Sequence, residues 1–358
     1  MKKGLLLIPL ALLLAISLVA IGCPAEEEPP PPPPTDGEEP PPPPPPEEVF
    51  EWRWQCGDVP GETEWEITDP LLEQLIEEAS GGWVQVERYP HGTICYLEEM
   101  VEATTMGAIE MSNYPAGYAS EIAPSSLASE MPMGVRDAYE LYELHHAWGM
   151  LEVQRQEYAE HGLYLLAPLY CGMGAVDTTF PVNTVDDLDG KLMWVIPNLL
   201  WLAEFGAAPT EVPDFDMYMA TKLGTIDGFW WPYKGLKDYN HREVVTYVMR
   251  PRLAAAVMHV VVNMDAWNAL GPELQMRIQD RVDARLFEGF VAIDEFTEVA
   301  VAEAKDYGIQ FITLPEADVA KLNAASRGFW DEITGLSPAT TEAIGIYKAW
   351  MEYRGIPW

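Results

Sequence analysis

Positive charge is what this sequence lacks. Lysine and arginine number 21 against 57 aspartates and glutamates, a formal net charge of -36 at pH 7. That excludes nucleic acid as a partner, because a phosphate backbone needs a basic face to displace its counterions. The same imbalance repels an anionic membrane surface. Histidine (6) and cysteine (4) are also scarce. No Cys-x-x-Cys occurs, so thioredoxin-like and zinc-ribbon readings fail. Long apolar runs are absent except at the extreme N-terminus, which excludes a polytopic membrane protein.

Catalytic signatures are missing as well. There is no G-x-S-x-G, H-E-x-x-H, P-loop or G-x-G-x-x-G fingerprint; Gly172-Met173-Gly174 reads as a turn after a strand. His145 and His146 are neighbours, and their i+4 partners are Gly149 and Met150, so no helical metal clamp forms. Asp186-Asp187-Leu188-Asp189-Gly190 has the flavour of a calcium loop but lacks its spacing and distal Glu, and reads as a turn. Nothing pairs a nucleophile with a base. The expectation is binding without turnover: no enzyme, no cofactor, no metal.

What is present is the composition of a globular body, with 48% hydrophobic and 22% charged residues. At 358 residues it is long enough for two domains. Its N-terminus is an address. Lys2 and Lys3 precede an apolar run from Leu5 to Ile21 that stops at Gly22-Cys23, as in a secretory signal. Residues 24–48 then hold 14 prolines and 8 acids in 25 positions, too polar and too proline-rich for a core. Such a segment is an extended spacer of about 3.1 Å per residue, long enough to hold the body roughly 75 Å from a membrane. Beyond it the net charge is still -30, so acidity belongs to the body itself.

Within that body strand and helix patterns alternate. Phe50–Gln55 and Trp83–Tyr89 read as strands, with a helix from Asp69-Pro70 to Ser80 between them, Asp69 as its cap. A helix over Leu97–Met106 leads to a strand at Ile109–Asn113. Further strands are expected at 162–170, 191–196, 244–249 and 259–263, and helices at 199–205 and 216–223. One long amphipathic helix runs from Pro272 to about Tyr307, stopped by Gly308. This β-α-β-α-β order predicts an α/β protein with a mostly parallel sheet. Cys56, Cys95 and Cys171 allow one disulfide and one free thiol, with the pair undetermined.

Residues 184–232 carry a resemblance. Asp187-Leu188-Asp189-Gly190-Lys191 enters a strand, followed by Phe205-Gly206-Ala207-Ala208-Pro209, Tyr218-x-Ala220, Gly224, Ile226-Asp227-Gly228 and Pro232. Tyr89-Pro90-His91-Gly92, Met131-Pro132-Met133, Asn263-x-x-Ala266-Trp267 and Leu270 to Gln275 extend it over roughly residues 50 to 330. This pattern resembles the DctP-type solute-binding proteins of tripartite ATP-independent periplasmic (TRAP) transporters. The ending Val19-Ala20-Ile21-Gly22-Cys23 likewise resembles a bacterial lipobox.

The resemblance implies a two-lobed, periplasmic-binding-protein-like α/β fold, with a ligand cleft between the lobes and a long helix spanning both. Expected segments are a lipoprotein signal peptide (1–22), lipidated Cys23 with its linker (23–48), lobe I (49–173) and lobe II (174–262). A crossing strand, the long helix and C-terminal helices fill 263–358. The partners implied are a small-molecule ligand, the TRAP permease subunits, and a membrane held through the lipid anchor outside the cytoplasm. A sensor presenting its closed form to a signalling receptor, or an exported enzyme, are the rival readings.

At three contact positions of that family the residues differ here. Trp194 stands where an Arg that forks onto the ligand carboxylate is usual, and Trp230 and Trp231 stand in place of Glu and Asn. Trp231-Pro232-Tyr233-x-x-Leu236-Lys237 also resembles a metal-using branch for 2-oxo acids, whose Glu ligand would align near Phe229 or Trp230. An indole offers an apolar face and one N–H, so a cleft lined by these three suits an aromatic, apolar-faced or cationic ligand. Arg250 or Arg252 can still meet an organic acid. Tyr114, Tyr170, Asn198, Tyr218 and Tyr233 complete the candidate ligand contacts.

Overall fold

The computed structural model describes residues 49–213 and 216–356. The expected signal peptide, Cys23 and the proline-rich segment lie outside the described residues. Among the described residues no helix is long and apolar enough to cross a membrane.

Ten strands form one mixed sheet. Strand β1 (Phe50–Gln55) lies between β2 (Val84–Tyr89) and β3 (Met111–Pro115), parallel to both. Helix α1 (Asp69–Ser80) connects β1 to β2 and α2 (Leu97–Thr105) connects β2 to β3, the right setting for parallel pairing. Helix α1 buries Leu72, Leu75, Ile76 and Ala79, the i, i+3, i+4, i+7 stripe of an amphipathic helix. It does not begin with Asp69 as a cap. One π-helical turn over Glu64–Thr68 runs straight into it, which draws Asp69 into the interior.

Past β3 come α3 (Ala138–His146) and α4 (Met150–Glu160), then the 16-residue β4 (Leu163–Thr178). The second half of the sheet adds β5 (Leu192–Trp194), β6 (Ala208–Pro209), α5 (Met217–Lys222), β7 (Gly228–Pro232) and α6 (Gly235–Asp238). Then follow β8 (Tyr247–Arg250), β9 (Ala254–Asn263), α7 (Met264–Ala269), α8 (Gly271–Tyr307), β10 (Gln310–Thr313), α9 (Glu316–Thr334) and α10 (Pro338–Tyr353). The order across the sheet is β2-β1-β3-β9-β4-β7-β5-β6, with β8 paired to β4 and β10.

The sheet is mixed because β9 runs antiparallel to both β3 and β4, and β4 antiparallel to β7 and β8. Strand β4 belongs to both halves: residues 163–174 pair with β9, and residues 174–178 with β7. Its register against β9 slips between Tyr170 and Met173, where Gly172 takes a φ of 108° that other residues avoid. The lobe boundary expected at 173/174 falls beside this irregularity, inside one continuous strand.

Helix α8 is the second continuous element. Thirty-seven residues at 1.5 Å each make it about 55 Å long. One stripe serves two cores: Leu274, Ile278, Val282, Leu286, Phe290 and Ile293 pack with β1, β2 and α1, and Val301 and Ala304 pack with Phe229, Tyr233 and Val248. The two cores are thus held by one rod and two crossing strands, and each keeps its own loops at the junction.

Candidate functional site

Two segments meet at that junction. The first follows the C-terminal end of β1, where crevices of open α/β sheets lie. Asn113 on β3 organises it: its Oδ1 accepts from Trp54 Nε1 (2.9 Å) and from the Gly57 amide (3.2 Å), and its Nδ2 donates to Asp58 Oδ2 (3.1 Å). The Asp58 carboxylate is therefore aimed by a buried amide that is itself fixed. Glu62 accepts from the Val59 amide (3.2 Å), and Glu64 opens the π-helical turn. Asp58, Glu62, Glu64 and Asp69 are all buried.

The second segment runs from β7 through α6. The Trp231 indole lies over Gly235, where any Cβ would run into its ring. Only glycine lets the helix start this close beneath it. Trp231 meets Tyr239 edge-on at 5.1 Å and His241 at 5.5 Å between ring centroids, and His241 stacks on Tyr239 at 5.4 Å. Trp194, which pairs with Phe229 in the β5–β7 register, tilts against Trp231 at 5.7 Å.

The two segments are bolted together. Lys234 Nζ lies 2.6 Å from Glu64 Oε2 and 3.4 Å from Asp238 Oδ2, with all three side chains buried. Asp238 Oδ2 also accepts from the Thr63 amide (3.2 Å) and from its hydroxyl. The Tyr239 hydroxyl reaches Glu62. Burial alone would lower the Lys234 ammonium, but Glu64 and Asp238 outweigh it and raise its pKa.

One lysine does not balance this many acids. Burial first, then Asp69, Glu64 and Glu62, push the Asp58 carboxyl well above the carboxylate range. Burial lifts Glu62 to about 7 and Asp69 to about 8. Tyr239 is raised by burial and then by Glu62, Asp58 and Glu64, while burial and then the Lys234 charge hold His241 down at about 3.

Of the residues proposed from sequence, Trp194 and Trp231 come together on one face of the β5–β7 pair, half-buried. Trp230 points to the opposite face, as alternation along a strand requires, and its indole is sunk against Gly174 in the core. Tyr233 follows Trp231 and Pro232, with its ring edge-on to Phe311, and Arg250 lies over that same ring at 4.8 Å. Tyr170 donates to Asp294 (2.9 Å), with exposed Arg252 close to this pair. Tyr114 is wholly buried in the core beside Tyr158. Asn198 donates to the carbonyls of Leu127 (3.0 Å) and Glu130 (3.2 Å), tying the 197–205 turn to the 124–130 turn. Tyr218 faces outward, donating to Glu243 (2.8 Å) and taking Lys222 as a neighbour (3.3 Å). Cys56, Cys95 and Cys171 are unbridged, so no disulfide forms among them.

Asp58, Glu62, Glu64, Lys234 and Tyr239 were not singled out from sequence. Their one signal was position: five acids within 58–69, directly after the first strand.

Comparison with known proteins gives this arrangement its context. Residues 59–335 match the model of the DctP family, bacterial extracellular solute-binding protein, family 7. The chain belongs to that family. The ectoine-binding periplasmic protein TeaA of Halomonas elongata is 28% identical over 311 residues, covering 83% of this chain and 81% of TeaA. A TRAP solute-binding protein from Desulfovibrio salexigens with bound orotic acid superposes with a TM-score of 0.76 at 21% identity, covering 86% of this chain and all of that one. Another, from Chromohalobacter salexigens with bound (S)-(+)-2-amino-1-propanol, gives 0.73 at 21% identity over 86% of this chain and 96% of that one. The fold is the two-lobed α/β fold of these binding proteins, and the family is extracytoplasmic.

Two outcomes follow from the buried charges. Burial depresses His145 and His146, on helix α3, to about 4 and about 3, and holds His241 and His259 at about 3; they therefore disfavour folding only as pH falls below about 6.5. Glu62, Asp69 and Glu130, the last lifted by burial to about 7, bind protons more tightly folded than unfolded, so they lose stability as pH rises towards 8. Between pH 7 and 8 proton loss from these carboxyls outweighs the small remaining titration of the unfolded histidines, and the melting temperature of the free protein falls; a flat or rising profile in thermal scanning contradicts these assignments. Lys234→Met strands Glu64 and Asp238 and costs the joined arrangement of the two segments roughly 3–5 kcal/mol. Small-angle scattering should show a larger radius of gyration than wild type, and an unchanged radius contradicts the bolt.

Proposed function

We propose that this chain is the solute-binding subunit of a TRAP transporter, which captures a small organic molecule between the 56–69 and 231–241 segments and hands it to the membrane permease. The observation that carries this reading is the set of links across the junction: Thr63 to Asp238, Glu64 to Lys234 and Glu62 to Tyr239. Each joins residues about 170 positions apart and ties the 56–69 segment to the 231–241 segment. A lobe closure stabilised this way converts ligand capture into a shape that a permease can read.

The half-buried indoles of Trp194 and Trp231 supply apolar faces beside these links, fitting a solute with a flat or apolar surface. The relatives support a small, polar organic molecule: TeaA binds ectoine, and the two structural neighbours hold orotic acid and an amino alcohol. Lipidation of Cys23 would tether the body, with residues 24–48 as its leash, at the outer face of a membrane.

A thermal-shift screen of small amines, zwitterions and carboxylates tests capture. A compound at about 100 times its dissociation constant adds roughly 2.7 kcal/mol, a rise of several degrees. Cells lacking this chain should then lose uptake of the same compound. A library that leaves the melting temperature unmoved contradicts capture, and uptake that persists contradicts delivery to the permease.

A further inference from the structure

The acids of the 58–69 segment outnumber what the protein sets against them. Glu64 and Asp238 contact Lys234, Asp58 and Glu62 lie within its field, and Asp69 adds a further buried carboxyl beside Asp58 and Glu64. Arg88 approaches from the Asp69 side, but it is engaged by Glu73 at 2.6 Å and by the Trp65 carbonyl at 2.9 Å. Buried carboxylates without counter-charge are costly. They are retained where something else supplies the charge.

Two independent features point the same way. Glu64 Oε1 and His241 Nδ1 are fully buried and meet no hydrogen-bond partner among the described residues. His241 stacks on Tyr239 and sits edge-on to Trp231, and it is neutral, so its ring can accept an N–H without adding charge. Trp231 carries an electron-rich face that attracts a cation, and the neighbouring Tyr239 ring already takes the Lys234 ammonium 5.7 Å from its centroid. The long-range field of a body with net charge -30 adds steering for a positive solute.

We infer that the captured solute carries a positive charge on a small amine, amidine or quaternary nitrogen, held by Asp58 and Glu62 and covered by the faces of Trp231 and Tyr239. This deepens the solute-capture reading and rests on it. Asn113 holds Asp58 in place before the solute arrives, so the charged contact needs little reorganisation. Asp58 faces Asp69, Glu64, Glu62 and Lys234, with Cys56, Cys171 and Tyr239 at the margin. A cation entering this set favours the ionised carboxyls, so binding releases protons and tightens as pH rises from about 6 to 8.

The test uses the mature protein with choline, agmatine and acetamidine as cationic probes and pyruvate, glutarate and benzoate as carboxylates, read by thermal shift and calorimetry. At least one cation should stabilise the protein and release protons on binding. Asp58→Asn and Glu62→Gln remove buried like charges, so the free variants should melt no lower than wild type yet bind that cation at least tenfold more weakly. Shifts with carboxylates alone overturn the inference and leave solute capture standing. The absence of a shift with any cation, or unchanged cation affinity in both variants, overturns it as well.

Discussion

Everything at the junction depends on one imbalance: a buried lysine among more carboxyls than it can neutralise. Lys234 ties the two segments through Glu64 and Asp238, while burial first, and Glu64 beside it, lifts the carboxyls of Asp58 and Glu62. A protein selected only for stability would replace such a cluster with apolar packing. In the reading proposed above, retaining it makes closure conditional on protons or on a positive solute. That is the behaviour a capture protein needs, because a cleft that closed equally well without ligand would signal nothing to a permease.

The fold makes this condition mechanical. Helix α8 and strands β4 and β9 pass between the two cores, and the residues that meet at the junction come from loops at the ends of β1 and β7. Continuous elements carry the cores while the loops carry the chemistry, the usual division between a rigid scaffold and its functional segments. The Asn198 contacts with Leu127 and Glu130 show a side chain from the 197–205 turn tying that turn to the 124–130 turn.

Much of the architecture was legible because it is local. The spacing of Leu72, Leu75 and Ile76 marks α1, and the stripe from Leu274 to Ala304 marks the long helix to within a residue of its observed ends. The antiparallel crossing of β9 was not legible, since strand direction in a sheet is a property of chain return, not of composition. The cleft was legible only in part. Trp194 and Trp231 stand on neighbouring strands and meet, whereas Trp230 alternates away into the core. Asp58, Glu62 and Glu64 were hidden by the chain's own acidity: with 57 acids in the sequence, five in one short segment read as solvated surface. Their burial is created by residues some 170 positions later, and no local pattern records that.

The most direct check is a crystal structure of the protein with the solute that co-purifies from its native host. The account predicts density enclosed by the 56–69 and 231–241 segments, with a nitrogen of the solute against Asp58 or Glu62 and a face of it on Trp231 or Tyr239. Density lying elsewhere, or a solute carboxylate held by Arg250 or Arg252 with Asp58 and Glu62 unengaged, would contradict it.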